Sequence, residues 1–405
     1  TPHILLLLTI QHCFRMKLIE VTDRKTENTF LNVPRELYKN DPNWVCPLDD
    51  EIRSIFDPGK NNYFNKGDAA RWILKDGDGR LIGRIAAFYN EEKANNYTQP
   101  TGGIGFFECI NDKKSAFKLF DTGKKWLEDK GMEAMDGPVN FGENDTYWGL
   151  LVEGFTQQAF GVNYNFPYYR DLFEAYGFKP FFEQTTKHLD LSKPFPERFW
   201  KIAEWVMKKP GYSFEHFKSS EVEKYAGDII KIYNEAWVNH EHFSPIDRQT
   251  IMRQFETAKP ILEDEYIWFA YYEGEPIGLL VMFPDVNQIF KYFNGKLNFI
   301  NKLRFLYLKK RKKMDRTRIT ILGVSPKFQK SGIESAIFWH LREPVLQKRK
   351  YIKEIEISWV GDFNPRMMSL LEAMNAKPGK KHVTFRKLFN DDAEEQKAEK
   401  VMPEG

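Results

Sequence analysis

The chain repeats itself, and this internal duplication restricts its fold more than any other feature of the sequence. Two predicted β-hairpins, each with hydrophobic runs around a glycine turn, carry Ile82-Gly83 and Ile277-Gly278 at matching positions 195 residues apart. Two later segments, 167–180 and 365–378, lie 198 residues apart and are identical at six of fourteen positions. Because both matches keep the same order and nearly the same offset, the sequence predicts two copies of one fold.

Each copy is predicted to contain, in order, a β-hairpin, a strand, a helix, a second strand and a capped helix, so the fold class is α/β. At 405 residues the chain is long enough for each copy to bury a core of its own. The predicted parts are a non-functional extension at 1–15, an N-terminal domain at 16–192, a connecting helix at 193–211, a C-terminal domain at 212–389 and a charged tail at 390–405.

The second copy contains a strand that runs directly into a helix through a short loop. The strand ends at Val324, Pro326 stops it, and Gly332 precedes the helix. The first turn of a helix presents unpaired backbone N–H groups and the positive end of the helix dipole, which favour a bound anion such as a pyrophosphate. Glycine lets such a ligand approach the backbone closely. An ordinary strand-to-helix turn explains the same letters and remains the alternative.

The motif Gln329-x-x-Gly332, placed after this strand, resembles the acetyl-CoA loop of the GNAT acyltransferase superfamily, which reads Arg/Gln-x-x-Gly-x-Gly/Ala. Glu334 departs from that pattern, because the family has Gly or Ala there. The order of elements in both copies also resembles the GNAT fold and the tandem GNAT-like proteins of bacteria. The resemblance implies two tandem GNAT-like domains, each a mixed, splayed β-sheet flanked by helices.

The resemblance also implies a binding mode for acetyl-CoA or another acyl-CoA. Backbone groups of Leu322 and Val324 would pair with the pantetheine arm, which lies between two splayed strands. The N–H groups of the loop would hold the pyrophosphate. The implied cofactor-binding residues are Leu322, Val324, Gln329, Lys330, Ser331, Gly332, Ile333, Glu334, Ser335 and Asn364.

Acyl transfer to an amine requires a base for the amine proton and a proton for the leaving thiolate. Glu354 and Glu356 alternate with isoleucines on a predicted strand and therefore share one face, and we predict Glu356 as the base. A solvated strand face is the alternative. The position of the tyrosine that often protonates the sulfur in the GNAT family corresponds to Leu371 in the second copy and Phe173 in the first. Neither can donate a proton.

The first copy departs further from the pattern. Its corresponding loop, Asn111 to Ala116, has no glycine and is predicted to bind no pyrophosphate. A long polar and aromatic segment at 137–155 follows, and such segments either line ligand sites or form turns before a core strand. Both interpretations stay open. The predicted substrate-contacting residues are Asn140, Glu143, Asn144, Trp148 and, from the second copy, Trp359.

Other features of the chain restrict the classes of binding partner that can be expected. A net charge of +3 gives no global field for nucleic acid, and three cysteines without disulfide or metal spacing suit the cytoplasm. His240-Glu241-His242 lacks a third metal ligand at useful spacing and is predicted to be a loop, so no metal is expected. The apolar and basic segment 289–318 is predicted to form a lid with a solvated face, and a helix at a membrane surface is the alternative.

Together these features predict an acyl-CoA-dependent N-acyltransferase, with acetyl-CoA as the expected donor and a small-molecule or peptide amine as the acceptor. Two alternatives remain. One is a GNAT-fold binding protein for a small metabolite or partner that has lost catalysis, which the missing tyrosines favour. The other is an aminoacyl-tRNA-dependent transferase, which only the basic segment supports.

Overall fold

The computed structural model of the protein describes residues 16–143, 145–236, 246–361 and 364–390. Its strands are β1 Lys17–Glu20, β2 Gly67–Lys75, β3 Leu81–Asn90, β4 Thr101–Cys109, β5 Ala134–Gly137, β6 Leu150–Glu153, β7 Lys179–Asp190, β8 Tyr212–His216, β9 Ile267–Tyr272, β10 Glu275–Pro284, β11 Arg316–Val324, β12 Glu354–Gly361 and β13 Lys377–Leu388. Its helices are α1 Arg24–Leu37, α2 Asp49–Ile55, α3 Glu91–Ala94, α4 Lys113–Asp129, α5 Tyr169–Tyr176, α6 Glu197–Met207, α7 Val222–Ala236, α8 Arg248–Ala258, α9 Asn287–Phe290, α10 Phe299–Lys310, α11 Ile333–Leu341 and α12 Pro365–Ala373.

The chain divides into two compact units. Unit 1 comprises the described residues of Thr1–Gln184, Ile289–Leu306 and Lys380–Ala398, and unit 2 comprises those of Thr185–Gln288 and Tyr307–Gly379. Each unit therefore draws on segments that are far apart in the sequence. The domain boundaries at 192 and 212 stay a prediction, whereas these units take their ends from other places along the chain.

Unit 1 is built on a sheet with the order β1-β2-β3-β4-β5-β13. Strand β3 pairs antiparallel with both β2 and β4, and β4 pairs parallel with β5. Helices α4 and α5 pack on one face in a core that contains Phe107, Phe120 and Phe173. Helix α1 packs in a second core with Phe30 and Phe88. Both faces of this sheet are therefore covered, as expected for an α/β unit.

The last strand in the sheet of unit 1 is β13, which lies far from the other strands of that unit in the sequence. Strand β13 pairs antiparallel with β5, and Arg386 lies directly opposite Asp136. The two side chains form a buried bidentate ion pair with N–O distances of 2.7 Å, and the guanidinium lies 3.6 Å from the ring centroid of Phe181. Because a bidentate pair fixes direction as well as distance, it sets the register of β13 in the sheet.

Unit 2 repeats this arrangement. Strands β9, β10 and β11 pair antiparallel in sequence and β11 pairs parallel with β12, within the order β7-β12-β11-β10-β9-β8. Helices α6 and α11 pack in one core with Ile319, Ile355 and Ile357. Helix α7 packs in a core that contains Phe269 and Val281. The sequence prediction of an α/β fold in two copies is confirmed.

Local details follow the sequence with one exception. Both predicted hairpins are present, and Asn364 caps α12 by accepting from the amide of Met367 at 3.1 Å. The helix predicted after Gly332 is regular only to Leu341 and continues as a wider π turn over Arg342–Gln347. Pro344 explains the change, because proline has no amide hydrogen to donate within a regular helix.

Candidate functional site

Strands β11 and β12 separate part of the way along their length. Their parallel ladder joins four residue pairs, from Arg316–Glu354 to Ile319–Ile357. Beyond this point β11 continues to Val324 and β12 to Gly361. The edge of β11 over 320–324 that would face β12 lies outside the ladder, so its backbone groups are available to an extended ligand.

The loop after β11 has the geometry of an anion-binding concavity. Lys330 and Gly332 have positive φ angles of 64° and 84°, and Gly332 is the N-cap of α11. Left-handed residues that alternate with right-handed ones turn successive amides to one side, which is the geometry of backbone anion sites. The Gln329 amide group donates to the carbonyl of Val324 at 3.1 Å, and the Ser331 hydroxyl donates to the carbonyl of Phe328. These bonds hold the loop in shape.

The remaining predicted cofactor residues have different surroundings. Ile333 and Ser335 are buried in the first turn of α11. Leu322 and Val324 are buried on β11. Glu334 is partly buried, and burial raises the pKa of its carboxyl above the usual value. Asn364 is occupied as the cap of α12. The cofactor-binding role of these residues stays a prediction.

Unit 1 fills the equivalent gap with its own chain. The parallel ladder of β4 and β5 ends at Gly103 and Asp136, although β4 continues to Cys109. The Val139 amide donates to the carbonyl of Ile104 at 2.9 Å, and a Cβ on Gly105 would lie 1.9 Å from the Val139 oxygen. The backbone after β5 therefore occupies this edge of β4. The equivalent edge in unit 2, that of β11, lies outside its ladder.

The helix that follows in unit 1 is also closed to an anion. Asp112 caps α4, and its carboxylate accepts from the amide of Ser115 at 2.8 Å and from the Ser115 hydroxyl at 2.7 Å. A carboxylate at this position satisfies an N–H group that a phosphate would need, and it repels negative charge. Both observations support the prediction that only the second copy binds a pyrophosphate.

Glu356 lies in a charged cluster beside the point where the β11–β12 ladder closes. Its side chain is completely buried, and its oxygens lie 3.4 Å from Nε of Arg318 and 3.7 Å from Nε2 of His188. Arg318 also donates to the hydroxyl of Ser358 at 3.2 Å. Since Ile319 and Ile357 pack with α11, the alternation of strand side chains places Arg318 and Glu356 on the opposite face of the sheet. The catalytic role of Glu356 stays a prediction.

His188 is a member of this cluster that the sequence did not indicate. It comes from β7, its Nδ1 contacts Glu354, and 19% of its side chain is exposed. A Cβ on Gly379 would lie 2.4 Å from His188 Nε2, so a glycine is required where the imidazole lies against the backbone. His188 is 166 residues from Glu354 in the chain, and no local pattern connects the two.

A second carboxylate lies at the other end of the open edge. The hydroxyl of Ser325, which directly follows β11, donates to Glu235 at 2.7 Å. Glu235 is exposed at the end of α7, whereas Ser325 is buried. This bond joins α7 to the loop. Leu371 and Phe173 are both completely buried in hydrophobic cores, so neither position offers a proton donor.

The predicted substrate residues lie in both units. In unit 1, Asn140 donates to the Thr146 hydroxyl at 3.1 Å, and Glu143 accepts from Tyr63 at 2.6 Å and pairs with Lys93 at 2.8 Å. Trp148 is completely buried against His382. In unit 2, Trp359 is partly buried on β12. The substrate role of these residues stays a prediction.

The predicted extension at 1–15 and the predicted tail after Asn390 fall outside the described residues, and so do two predicted sites. Asn144 is one of them, and the loop His240-Glu241-His242 is the other. Within the described ranges, no group of three or more His, Cys, Asp or Glu side chains is placed to hold a metal ion.

The architecture matches that of solved GNAT proteins, one of them a tandem GNAT protein. A tandem GNAT protein from the clavulanic acid biosynthesis pathway superposes with a TM-score of 0.55 at 12% identity, over 94% of this chain and all of that one. A GCN5-related N-acetyltransferase from Sphaerobacter thermophilus gives 0.51 at 12% identity, over 94% and 98% of the two chains. The chain therefore has the tandem GNAT fold, which confirms the resemblance seen in the sequence.

Two curated proteins are similar over almost their whole lengths. Protein YghO of Escherichia coli K12 is 25% identical over 369 residues, which cover 88% of this chain and 92% of that protein. The bacterial ceramide synthase of Caulobacter vibrioides is 27% identical over 370 residues, which cover 88% and 94%. No protein-family model matches the chain.

Proposed function

We propose that this protein is an acyl-CoA-dependent N-acyltransferase whose acceptor is the amine of a long-chain amino alcohol. The observation that carries the proposal is the open edge of β11 followed by the Gly332 loop, an arrangement that accommodates an extended arm and a pyrophosphate in one unit only. The similarity to a ceramide synthase supports the acceptor, because a ceramide is the amide of a fatty acid and a long-chain amino alcohol.

The two ends of the open edge suggest which part of the donor lies where. The amides of Lys330 to Ser335 would bind the pyrophosphate, and the backbone of Leu322 and Val324 would pair with the pantetheine arm. An arm that runs back along β11 from the loop brings its thioester end towards Ile319, where the ladder closes. The donor supplies an activated acyl group. Arg318, Glu356 and His188 lie beside this closing point.

The cluster offers a route for the proton of the attacking amine. Glu356 is completely buried, so the amine proton would reach it through the partly exposed His188. Nδ1 of His188, which contacts the partly exposed Glu354, would take up the amine proton while the proton on Nε2 passes to Glu356, 3.7 Å away. Arg318 would hold the carboxylate in place. No tyrosine occupies the positions of Leu371 and Phe173, so the thiolate would leave without protonation from these positions.

The proposal is tested by measuring thiol release with acetyl-CoA or a long-chain acyl-CoA as donor and sphinganine as acceptor. We expect release with at least one donor. We also expect Glu356→Gln to lower kcat by roughly 10²–10⁴-fold, the usual contribution of general base catalysis, because the proton relay through His188 then lacks its final acceptor. Glu343→Gln is the matched control, because Glu343 is an exposed carboxylate of the same unit.

Other results would contradict the proposal. Binding of acyl-CoA without thiol release across a panel of amines would identify a binding protein that has lost catalysis. Binding of aminoacyl-tRNA with a steep dependence on salt concentration would identify an aminoacyl-tRNA-dependent transferase. A thermal unfolding curve for each variant shows whether a loss of activity reflects a loss of folded protein.

Glu334 provides a separate test of pyrophosphate binding at the loop. A carboxylate in the first turn of α11 repels a bound anion, so Glu334→Gln is expected to tighten acyl-CoA binding roughly two- to fivefold. Because burial raises the pKa of Glu334, the wild-type carboxyl becomes neutral as the pH falls through that raised value. The difference between the two proteins should therefore shrink towards acidic pH, as measured by calorimetry. A constant difference, or none at neutral pH, would place the pyrophosphate elsewhere.

A further inference from the structure

Helix α10 presents an unusual surface. Six of the eight large hydrophobic side chains that are exposed in the described part of the chain lie in the segment from Tyr292 to Tyr307. Five of them belong to α10 itself, where each is more than half exposed, and Phe299 reaches 74%. These five are Phe299, Ile300, Leu303, Leu306 and Tyr307.

The exposed side chains form one stripe. At 100° per residue, the five lie within an arc of about 120° on the helix, and Phe305 points away from it. Phe305 is buried, and its ring centroid lies 5.6 Å from that of Phe290. Lys302 and Lys309 project on one side of the stripe and Arg304 on the other. Lys310, the last residue of the helix, falls within the arc and closes the stripe at its C-terminal end. From Phe299 to Tyr307 the helix therefore has an apolar outer face between basic flanks, which is the pattern of helices that lie in a membrane interface.

Charge is segregated onto the same segment. Residues 287–314 contain nine Lys or Arg and no Asp or Glu. The rest of the chain contains all 57 acidic residues and 51 of the 60 basic residues, so its net charge is negative. Within the ranges that the structure describes, none of the nine basic side chains is paired with a carboxylate. The segment thus carries a local positive field that an anionic surface would complement.

The helix is held in place at its start. Asn298 caps it by accepting from the amide of Asn301 at 3.0 Å. The preceding turn is fixed in unit 1, where Arg35 donates to the carbonyl of Asn294 at 3.0 Å and the Asp49 amide donates to the carbonyl of Gly295 at 2.8 Å. The apolar stripe is therefore a fixed surface of the folded protein.

We infer that α10 docks this protein on an anionic phospholipid bilayer, with the apolar stripe inserted among the lipid headgroups and the flanking Lys and Arg near their phosphates. No described helix is long and apolar enough to cross a bilayer. At twelve residues, α10 suits a position in the plane of the interface. This inference goes beyond the proposed function and rests on the surface alone.

The test is co-sedimentation of the full chain with phosphatidylcholine vesicles that contain, or lack, phosphatidylglycerol. We expect binding to the anionic vesicles that weakens as salt shortens the Debye length from about 10 Å at 0.1 M to about 3 Å at 1 M. Phe299→Ser combined with Leu303→Ser should lower the partition coefficient about tenfold or more. Because both side chains are exposed, the thermal unfolding midpoint should not change.

Matched variants distinguish binding through α10 from non-specific adsorption of the protein to vesicles. Trp205→Ser removes another exposed aromatic side chain, which lies on α6, and Lys113→Gln with Lys118→Gln removes two exposed charges from α4. Lys310→Gln with Lys312→Gln removes two exposed charges from the basic segment 287–314. Only the last pair should weaken vesicle binding. The inference would be overturned if the control variants lost as much vesicle binding as the α10 variants, or if the wild type did not bind. It would also be overturned if the protein formed a dimer in solution that the Phe299 and Leu303 changes disrupt.

Discussion

Replacement of Glu356 by alanine is expected to destabilise unit 2 by about 3–5 kcal/mol, the usual effect of leaving one partner of a buried ion pair uncompensated. Arg318 is almost fully buried, and its guanidinium lies 3.4 Å from the Glu356 carboxylate. Without that carboxylate, the buried guanidinium loses a negative charge that offsets its desolvation. The measurement is urea unfolding followed by the fluorescence of the tryptophans.

The same strand provides the control. Glu354→Ala removes a carboxylate two residues away that is 37% exposed, and its effect should stay below about 1 kcal/mol. Arg318→Met combined with Glu356→Met should recover most of the lost stability, because neither charge then remains buried. A Glu356 variant as stable as the wild type would show that water reaches the cluster and that the pair is not buried in solution.

Replacement of Gly332 by alanine is expected to weaken acyl-CoA binding roughly 100-fold, the equivalent of one or two charge-assisted hydrogen bonds. Gly332 has a φ of 84°, and a Cβ there would lie 2.6 Å from Ile202 and 3.1 Å from Val206 on α6. The loop must shift to accept it, and the concavity of amides is then lost. Isothermal titration calorimetry with acyl-CoA measures the change.

Gly274 provides the matched control for backbone strain. It has the same φ of 84°, lies in the β9–β10 turn of the same unit, and has open space within 4 Å of the point where a Cβ would lie. Gly274→Ala should therefore lower stability by about 1–2 kcal/mol and leave acyl-CoA affinity unchanged. Equal affinities for the Gly332 and Gly274 variants would show that the loop does not contact the donor.

Much of this architecture could be predicted because it depends on local sequence. The hairpins follow from hydrophobic runs around Gly79 and Gly274, and the start of α12 follows from Asn364 before a proline. The order of these signals, repeated once, was enough to indicate two copies of the GNAT fold. The loop at Gly332 could be identified for the same reason, since its residues are consecutive.

The parts that could not be predicted depend on contacts between distant residues. His188 joins Glu356 through the pairing order of β7 and β12, which no spacing in the sequence encodes. The Val139 backbone that fills the edge of β4 is recognisable only once that edge is known. The exposed stripe of α10 has the composition of a buried helix, so its side-chain pattern alone did not show which face is exposed.

The origin of β13 affects how the protein can be made. Unit 1 needs Lys380–Leu388 as the neighbour of β5, and this strand is synthesised only after residues 185–379. Until then, the hydrogen-bonding edge of β5 has no native partner, although most of unit 1 has already been synthesised. Unit 1 therefore cannot complete its fold until β13 has been synthesised, and closing the loop between residues 137 and 385 adds a slow, non-local step to its folding.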